Sequence, residues 1–277
     1  MKRWFATLVV FALCSAVVRA DVTIVQTTTV EGGMAAMAPG GIPTPTITVR
    51  VKGMRSRTDI EAGSVISVST IADLLAKQII VLRPDQKTAT IAIAPPAPAP
   101  ATGPPAAPSP TVAVDGSVKP TGKSQAIDGI KCDEYTFTTT MDFSAFTGGQ
   151  MPPEAAAMMQ GMKMVMAGSM WVSKDVPGAA EYLAYQKAVA SSDMAAAAAV
   201  GAGVKIPGMD KMAKAMSGVE GLAYLTEMTM TIEGTGEVAE MMKQMGAMKM
   251  TMRTTSVKAD ALSDDLFKVP EGYTIIK

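Results

Sequence analysis

Three segments in the second half of the chain alternate methionine with polar or small residues. Methionine occupies even-numbered positions in MKMVMAGSM at 162–170, in MTM at 228–230 and in MKMTM at 248–252. Successive side chains of a strand point to opposite faces, so a two-residue period places the methionines of each segment on one face. The pattern predicts three half-buried strands that are apolar on one side and polar on the other.

Other strands are predicted where β-branched residues dominate. In the first half they are expected at 22–30, 46–53, 54–61, 64–74, 78–82 and 87–94, and in the second half at 222–232 and 247–257. The turn Arg83-Pro84-Asp85-Gln86 joins two of these strands, with Pro84 at the favoured second position. Asp128-Gly129 suits the positive backbone angles of a tight turn, which predicts a hairpin within 122–141.

Helical patterns occur only after the first group of strands. Short helices are predicted at 154–162 and 209–217, a longer helix through AAEYLAYQKAVASS, and a helical turn or loop at MMKQM. Antiparallel hairpins with helices inserted late indicate an α+β, mainly β protein. We expect one curved antiparallel sheet, a half-barrel, with a few helices covering its concave face.

The chain begins with MKRWFATLVVFALCSAVVRA, a basic start followed by an apolar run and small residues before a break after Ala20. This pattern predicts a signal peptide at 1–20 that is cleaved on export to the periplasm or cell envelope. Its apolar run is shorter than the ~20 residues of a spanning helix, and we expect no transmembrane segment in the mature chain. Residues 21–277 are predicted to form a single β-rich domain, interrupted by a disordered proline- and alanine-rich insertion at 95–110.

Charge and residue types argue against nucleic acid binding and catalysis. Removing the signal takes three basic residues and no acidic residue from 25 of each, leaving a net charge of −3, which does not suit a phosphate backbone. The chain has no histidine, so Cys132 lacks a base partner and is predicted to be a buried thiol or one that pairs two chains. We therefore expect no catalytic residue, no cofactor and no enzymatic activity.

The methionines themselves admit three interpretations. They could be ordinary core, because methionine is a flexible gap-filler. They could line an adaptable wall for apolar ligands, since 20 of the 24 methionines lie between 141 and 252 and aromatic residues form only 5% of the chain. They could also bind a soft metal such as Cu(I), for which thioether sulfur is a suitable ligand.

The order of several segments resembles an exported bacterial family, domain-of-unknown-function family 4412. The matching pieces are VKGMRSRTD, QIIVLRPDQKTAT, PTGKSQAIDGIKCDEY, MWVSKDVPG, EMTMTI, the methionine-alternating segment before Ser256-Val257, and LFKVPEGY. The resemblance implies an exported, β-rich envelope protein and supplies no reaction. More distantly, the pattern is similar to the periplasmic lipoprotein-carrier (LolA-like) fold, whose half-open sheet shelters acyl chains under helices.

These observations predict a non-enzymatic periplasmic protein that binds a lipid or another hydrophobic group, with envelope components as further candidate partners. The alternatives are Cu(I) binding through the methionines and a structural envelope protein without a ligand. The predicted pocket floor consists of Met164, Met166, Met170, Met228, Met230, Met248, Met250 and Met252. Its predicted lid consists of Tyr182, Leu183 and Tyr185.

Overall fold

A computed structural model describes residues 21–33, 44–63, 66–93, 113–142, 161–192, 216, 218–235 and 237–276. The predicted signal peptide and the proline- and alanine-rich insertion lie outside these residues. So do the predicted helix at 154–162, except its last two residues, and the predicted helix at 209–217, except Met216. No helix in the described part of the chain has the length and apolarity needed to cross a membrane.

The described residues form one open sheet of twelve strands, and the protein is mainly β. In chain order the strands are β1 Val22–Gly32, β2 Thr46–Lys52, β3 Arg55–Ala62, β4 Ile66–Asp73, β5 Gln78–Arg83, β6 Thr88–Ile93, β7 Ala113–Ile127, β8 Ile130–Asp142, β9 Lys163–Ser173, β10 Leu222–Glu233, β11 Met248–Lys258 and β12 Thr274–Ile276. Their order across the sheet is β12-β6-β5-β4-β3-β2-β1-β11-β10-β9-β8-β7. The pairing of β1 with β11 therefore joins the first group of strands to the second.

The predicted hairpins are confirmed, with two differences at the sheet edges. Asp128 and Gly129 have φ of 51° and 79°, as a tight hairpin turn requires. Strand β7 begins well before the predicted hairpin and contains Pro120, which an edge strand tolerates because it need not donate on its open side. The predicted antiparallel sheet is confirmed, and one short strand departs from it, because β12 pairs with β6 in parallel.

Two α-helices accompany the sheet among the described residues: α1, Ala179–Ala190, and α2, Glu237–Gln244. Ala179 and Tyr185 of α1 belong to one buried cluster with Val22, Ile24 and Val51. Two polar contacts fix the same helix to the sheet. The Gly53 amide donates to Oε1 of the buried Glu181 over 3.0 Å, and the Tyr185 and Ser56 hydroxyls lie 2.7 Å apart.

The opposite face of the first strands carries an ion-pair cluster. Asp59 pairs with Arg50 and also with Arg57, whose Nε lies 2.8 Å from Oδ1. Burial raises the pKa of Asp59, but hydrogen bonds from Ser69 and Arg57 and the charges of both arginines lower it more. The pKa of this carboxyl is therefore below its ordinary value.

The segment before β12 packs in the same region. Phe267, in a short 3-10 helix at Asp264–Phe267, shares a buried cluster with Ile71, Ile80 and Leu82. The Arg55 guanidinium lies 5.1 Å from the centre of the Phe267 ring. The C-terminal segment thus covers β3–β5, while α1 lies near β1 and β2.

Candidate functional site

The register of the strands brings the predicted methionines together on one face. Met228 lies opposite Met250, and Met230 lies opposite both Met248 and Met166. Directly opposed residues share a face of the sheet. Ile232 opposes Met164, and Thr226 lies between Met170 and Met252, so all eight predicted positions share this side of β9–β11. We call it the methionine face.

The methionine face continues onto the neighbouring strands. On β1, Thr28 and Val30 oppose Met252 and Met250. Val22 and Ile24 alternate in step with Thr28, so α1, which packs on them, lies on the methionine face. On β8, the continuing residues are Tyr135, Phe137, Thr139 and Met141.

Burial differs along this face. Met170 is buried, whereas the other seven predicted methionines are half-buried. Thr28 is buried and its Oγ1 has no hydrogen-bond partner among the described residues. The methionine face is thus mainly apolar, and it also buries one polar atom, the Thr28 Oγ1.

A first cavity, the helix cavity, lies between α1 and the strands β9 and β10. Its volume is about 250 Å³. Of the predicted site residues, Met170, Tyr182 and Leu183 line it. The remaining lining residues are Gln186, Lys187, Val189, Ala190, Met216, Val219, Gly221 and Ala223. Met170, Val219 and Gly221 are buried and form the floor, while the exposed Gln186, Lys187, Ala190 and Met216 form the mouth.

Tyr185 has a different place from the one expected. It does not line the helix cavity but is buried against the sheet, where its hydroxyl meets that of Ser56. Burial raises the pKa of Tyr185, so this hydroxyl keeps its proton at neutral pH. Tyr185 thus anchors α1, and the same helix places Tyr182 and Leu183 in the cavity lining.

Polar groups gather at the mouth of the helix cavity. The Gln186 side-chain amide donates to the Tyr182 hydroxyl over 2.8 Å, and burial raises the pKa of Tyr182. Nearby, the Lys174 ammonium lies 2.7 Å from a Glu220 carboxylate oxygen. This hydrogen bond, the charge of Lys174 and the charge of Lys187 lower the pKa of Glu220. Among the residues that line the cavity, Lys187 is the charged one, and it lies at the exposed mouth.

A second cavity, the methionine cavity, lies where α2 meets β10 and β11. Its volume is about 50 Å³, and it is lined by Gly33, Met230, Ile232, Met242, Met245, Gly246 and Met248. Sequence reasoning named Met230 and Met248 but missed Met242 and Met245, because their segment was predicted as a helical turn or loop. The sequence does contain a signal for them. They are three residues apart, a spacing that places two side chains on the same side of a helix.

The other five predicted methionines line neither of these two cavities. Met164, Met166, Met228, Met250 and Met252 occupy other positions of the methionine face. The predicted pocket floor is thus continuous as a sheet face, while the space above it is divided between two cavities at opposite ends of β10.

The cysteine belongs to the buried cluster around α1, in a setting that does not favour reactivity. Cys132 is fully buried. Burial and the charges of Asp133 and Asp128 raise the pKa of its thiol, which keeps the sulfur protonated. In the described ranges, no three side chains among histidine, cysteine, aspartate and glutamate come together as metal ligands.

Comparisons with known proteins add little to this geometry. No family model matches the chain, and no curated protein matches it. A solved structure of PNGF-II in a C2 space group is 11% identical with a TM-score of 0.34, over 92% of this chain. The chain spans only 30% of that PNGF-II chain. A likeness of this size carries no argument about fold or function.

Proposed function

We propose that this protein is an exported, non-enzymatic binding protein that holds a lipid or another hydrophobic group in a methionine-lined pocket. One observation carries the proposal. The helix cavity of about 250 Å³ opens beside α1 and adjoins the methionine face at Met170. The signal-peptide pattern at 1–20 supports export to the periplasm or envelope, which is part of the same proposal.

The size of the cavity suits part of an acyl chain. A dry engineered cavity of roughly 150 Å³ accepts benzene, whereas pockets for drug-sized ligands begin at about 300 Å³. A cavity of about 250 Å³ therefore has room for the end of a chain or one ring. The remainder of a longer ligand would lie along the half-buried methionines. Each methylene removed from water would contribute about 0.8 kcal/mol to binding.

The polar mouth suits an amphiphile with an acidic end. Lys187 and Gln186 are exposed at the mouth, while the floor is apolar. A ligand that entered tail first would leave its head group beside the Lys187 ammonium, where a negative charge is stabilised.

We also propose that the sheet is curved into a half-barrel with the methionine face inside. Irregularities in pairing at Val25/Gln26, Ala223/Leu225 and Pro120/Ser124 support it, because β-bulges bend strands. Gly168 on β9 supports it too, since glycine permits sharp bending. A Cβ at Gly168 would overlap the Glu227 carbonyl oxygen and lie 2.8 Å from the Met228 Cα.

The proposal is tested by filling the helix cavity. Ala223→Leu adds three carbon atoms to a residue that lines the cavity, and Ala167→Leu makes the same change at an exposed position of β9. The affinity of each purified variant for a fluorescent long-chain fatty acid is measured by titration. We expect Ala223→Leu to weaken binding at least tenfold and Ala167→Leu to leave it unchanged.

Two further measurements decide between ligand binding and a filled scaffold. Met250→Lys places a charge on the methionine face and should abolish uptake of the same fatty acid if the ligand extends along it. Native mass spectrometry of protein taken gently from its host should reveal a bound lipid. Unchanged probe affinity in a folded Ala223→Leu variant, or no probe binding by the wild type, would count against the proposal.

A further inference from the structure

Four thioether groups converge on the methionine cavity from two directions. Met230 and Met248 lie directly opposite each other on β10 and β11, at a spacing that brings side chains into contact. Met242 lies on α2, and Met245 follows one helical turn later. The Met245 amide donates to the Met241 carbonyl over 3.2 Å, so the helical turn continues as far as Met245.

The chemistry of this lining is unusually uniform. Apart from the four methionines, the lining consists of Ile232 and two glycines, so it presents no carboxylate or imidazole. Hard cations such as Ca²⁺ and Mg²⁺ require oxygen ligands, which these side chains lack. Thioether sulfur is neutral and polarizable, and it selects soft ions such as Cu(I).

Size and charge fit a small cation. About 50 Å³ exceeds the roughly 10–15 Å³ that one water needs but is far below the volume of an organic ligand. The cavity lies beside the C-terminal end of α2, where unpaired carbonyls create a partial negative charge. Lys243 at this end pairs with Glu240 over 2.8 Å, so its positive charge is compensated.

Packing alone explains these four methionines less well than cation binding does. Methionines that act only as gap-fillers occupy the available space, whereas here a space of about 50 Å³ that opens to solvent remains among these four half-buried side chains. The neighbouring Met241 does not join the group and is 57% exposed. We propose that Met230, Met242, Met245 and Met248 form a binding site for a soft monovalent cation, Cu(I) or its analogue Ag(I). This inference is independent of the helix cavity and of any hydrophobic ligand.

The test compares two leucine variants of the same helix. Met242→Leu/Met245→Leu removes two sulfurs while preserving apolar bulk, and Met241→Leu removes one exposed sulfur as the matched control. Ag(I) is titrated by calorimetry in chloride-free buffer. Cu(I) is titrated without oxygen against a colorimetric chelator. We expect the wild type and Met241→Leu to bind one high-affinity equivalent of each ion and the double variant to bind it at least 100-fold more weakly.

Methionine methyl NMR covers the case in which the double variant does not fold. With ¹³C-methyl methionine in the wild-type protein, Ag(I) should shift the four signals assigned to the site and leave that of Met241 unchanged. Assignments come from single leucine variants. The proposal is overturned if the wild type binds neither ion, if the folded double variant keeps the full affinity, or if the shifted signals belong to other methionines.

Discussion

Helix α1 is held over the sheet by a hydrogen bond whose removal should destabilise the protein. The Tyr185 and Ser56 hydroxyls lie 2.7 Å apart, and the residues are 6% and 7% exposed. In Tyr185→Phe the ring remains in place, but the Ser56 hydroxyl loses its partner where water has little access. The cost is therefore mainly that of a buried hydroxyl without a partner.

The magnitude follows from this burial. An unsatisfied buried polar group costs about 1–3 kcal/mol, and we expect about 2 kcal/mol for Tyr185→Phe. Ser56→Ala should cost a similar amount, because it leaves the Tyr185 hydroxyl without a partner. The double variant removes both hydroxyls at once, so its cost should fall below the sum of the two by about 1–2 kcal/mol.

Urea denaturation followed by circular dichroism measures these free energies of unfolding. With a slope of about 3 kcal/mol/M, a loss of about 2 kcal/mol lowers the midpoint by about 0.7 M. Tyr182→Phe is the control, because the Tyr182 hydroxyl bonds to Gln186 at the exposed mouth and its loss should cost less. The reasoning is refuted if the stability losses of Tyr185→Phe and Ser56→Ala add fully in the double variant, because the two hydroxyls would then not interact.

Two other predictions concern polar groups in the sheet. Asp59→Asn should cost about 2 kcal/mol at pH 7, because it removes the charge from the hydrogen bonds that the partly buried Arg50 and Arg57 donate. The pKa of Asp59 is lowered in the folded state, so its stabilisation is present above the unfolded value near 3.8 and is lost as the pH falls through the folded value. Urea midpoints of wild type and variant should therefore converge below pH 4 and stay apart above pH 5. Thr28→Val removes a buried oxygen that has no partner among the described residues and should raise the free energy of unfolding by about 1 kcal/mol. A loss of stability on urea denaturation would contradict that reasoning.

Much of the sheet follows from local sequence. Alternation at 162–170, 228–230 and 248–252 predicts which side chains share a face, because a strand has a fixed two-residue period. The Asp128-Gly129 dipeptide predicts its hairpin, because few residues adopt positive φ at both turn positions. Side chain direction and turn chemistry are both decided within a few residues, which is why these predictions hold.

Features that depend on distant parts of the chain were missed. The parallel pairing of β12 with β6 joins residues far apart in sequence, and a segment of three residues carries no signal for it. Tyr185 has the same helical spacing as other apolar residues of α1, yet its position over Ser56 depends on how the helix crosses the sheet. The division of space above the methionine face likewise depends on where the helices lie.

That division explains how one pattern can yield two chemically different sites. The strands present the same side chain repeatedly, so the methionine face alone does not distinguish one end from the other. At the Leu222 end, α1 contributes Tyr182, Leu183 and Lys187, which leaves a large apolar space with a charged mouth. At the Glu233 end, α2 contributes two more methionines and closes the space to about 50 Å³. Since the sheet is common to both, we expect the covering helix to determine which ligand each proposed site takes. Leucine at 242 and 245 should then abolish cation binding without changing fatty acid affinity.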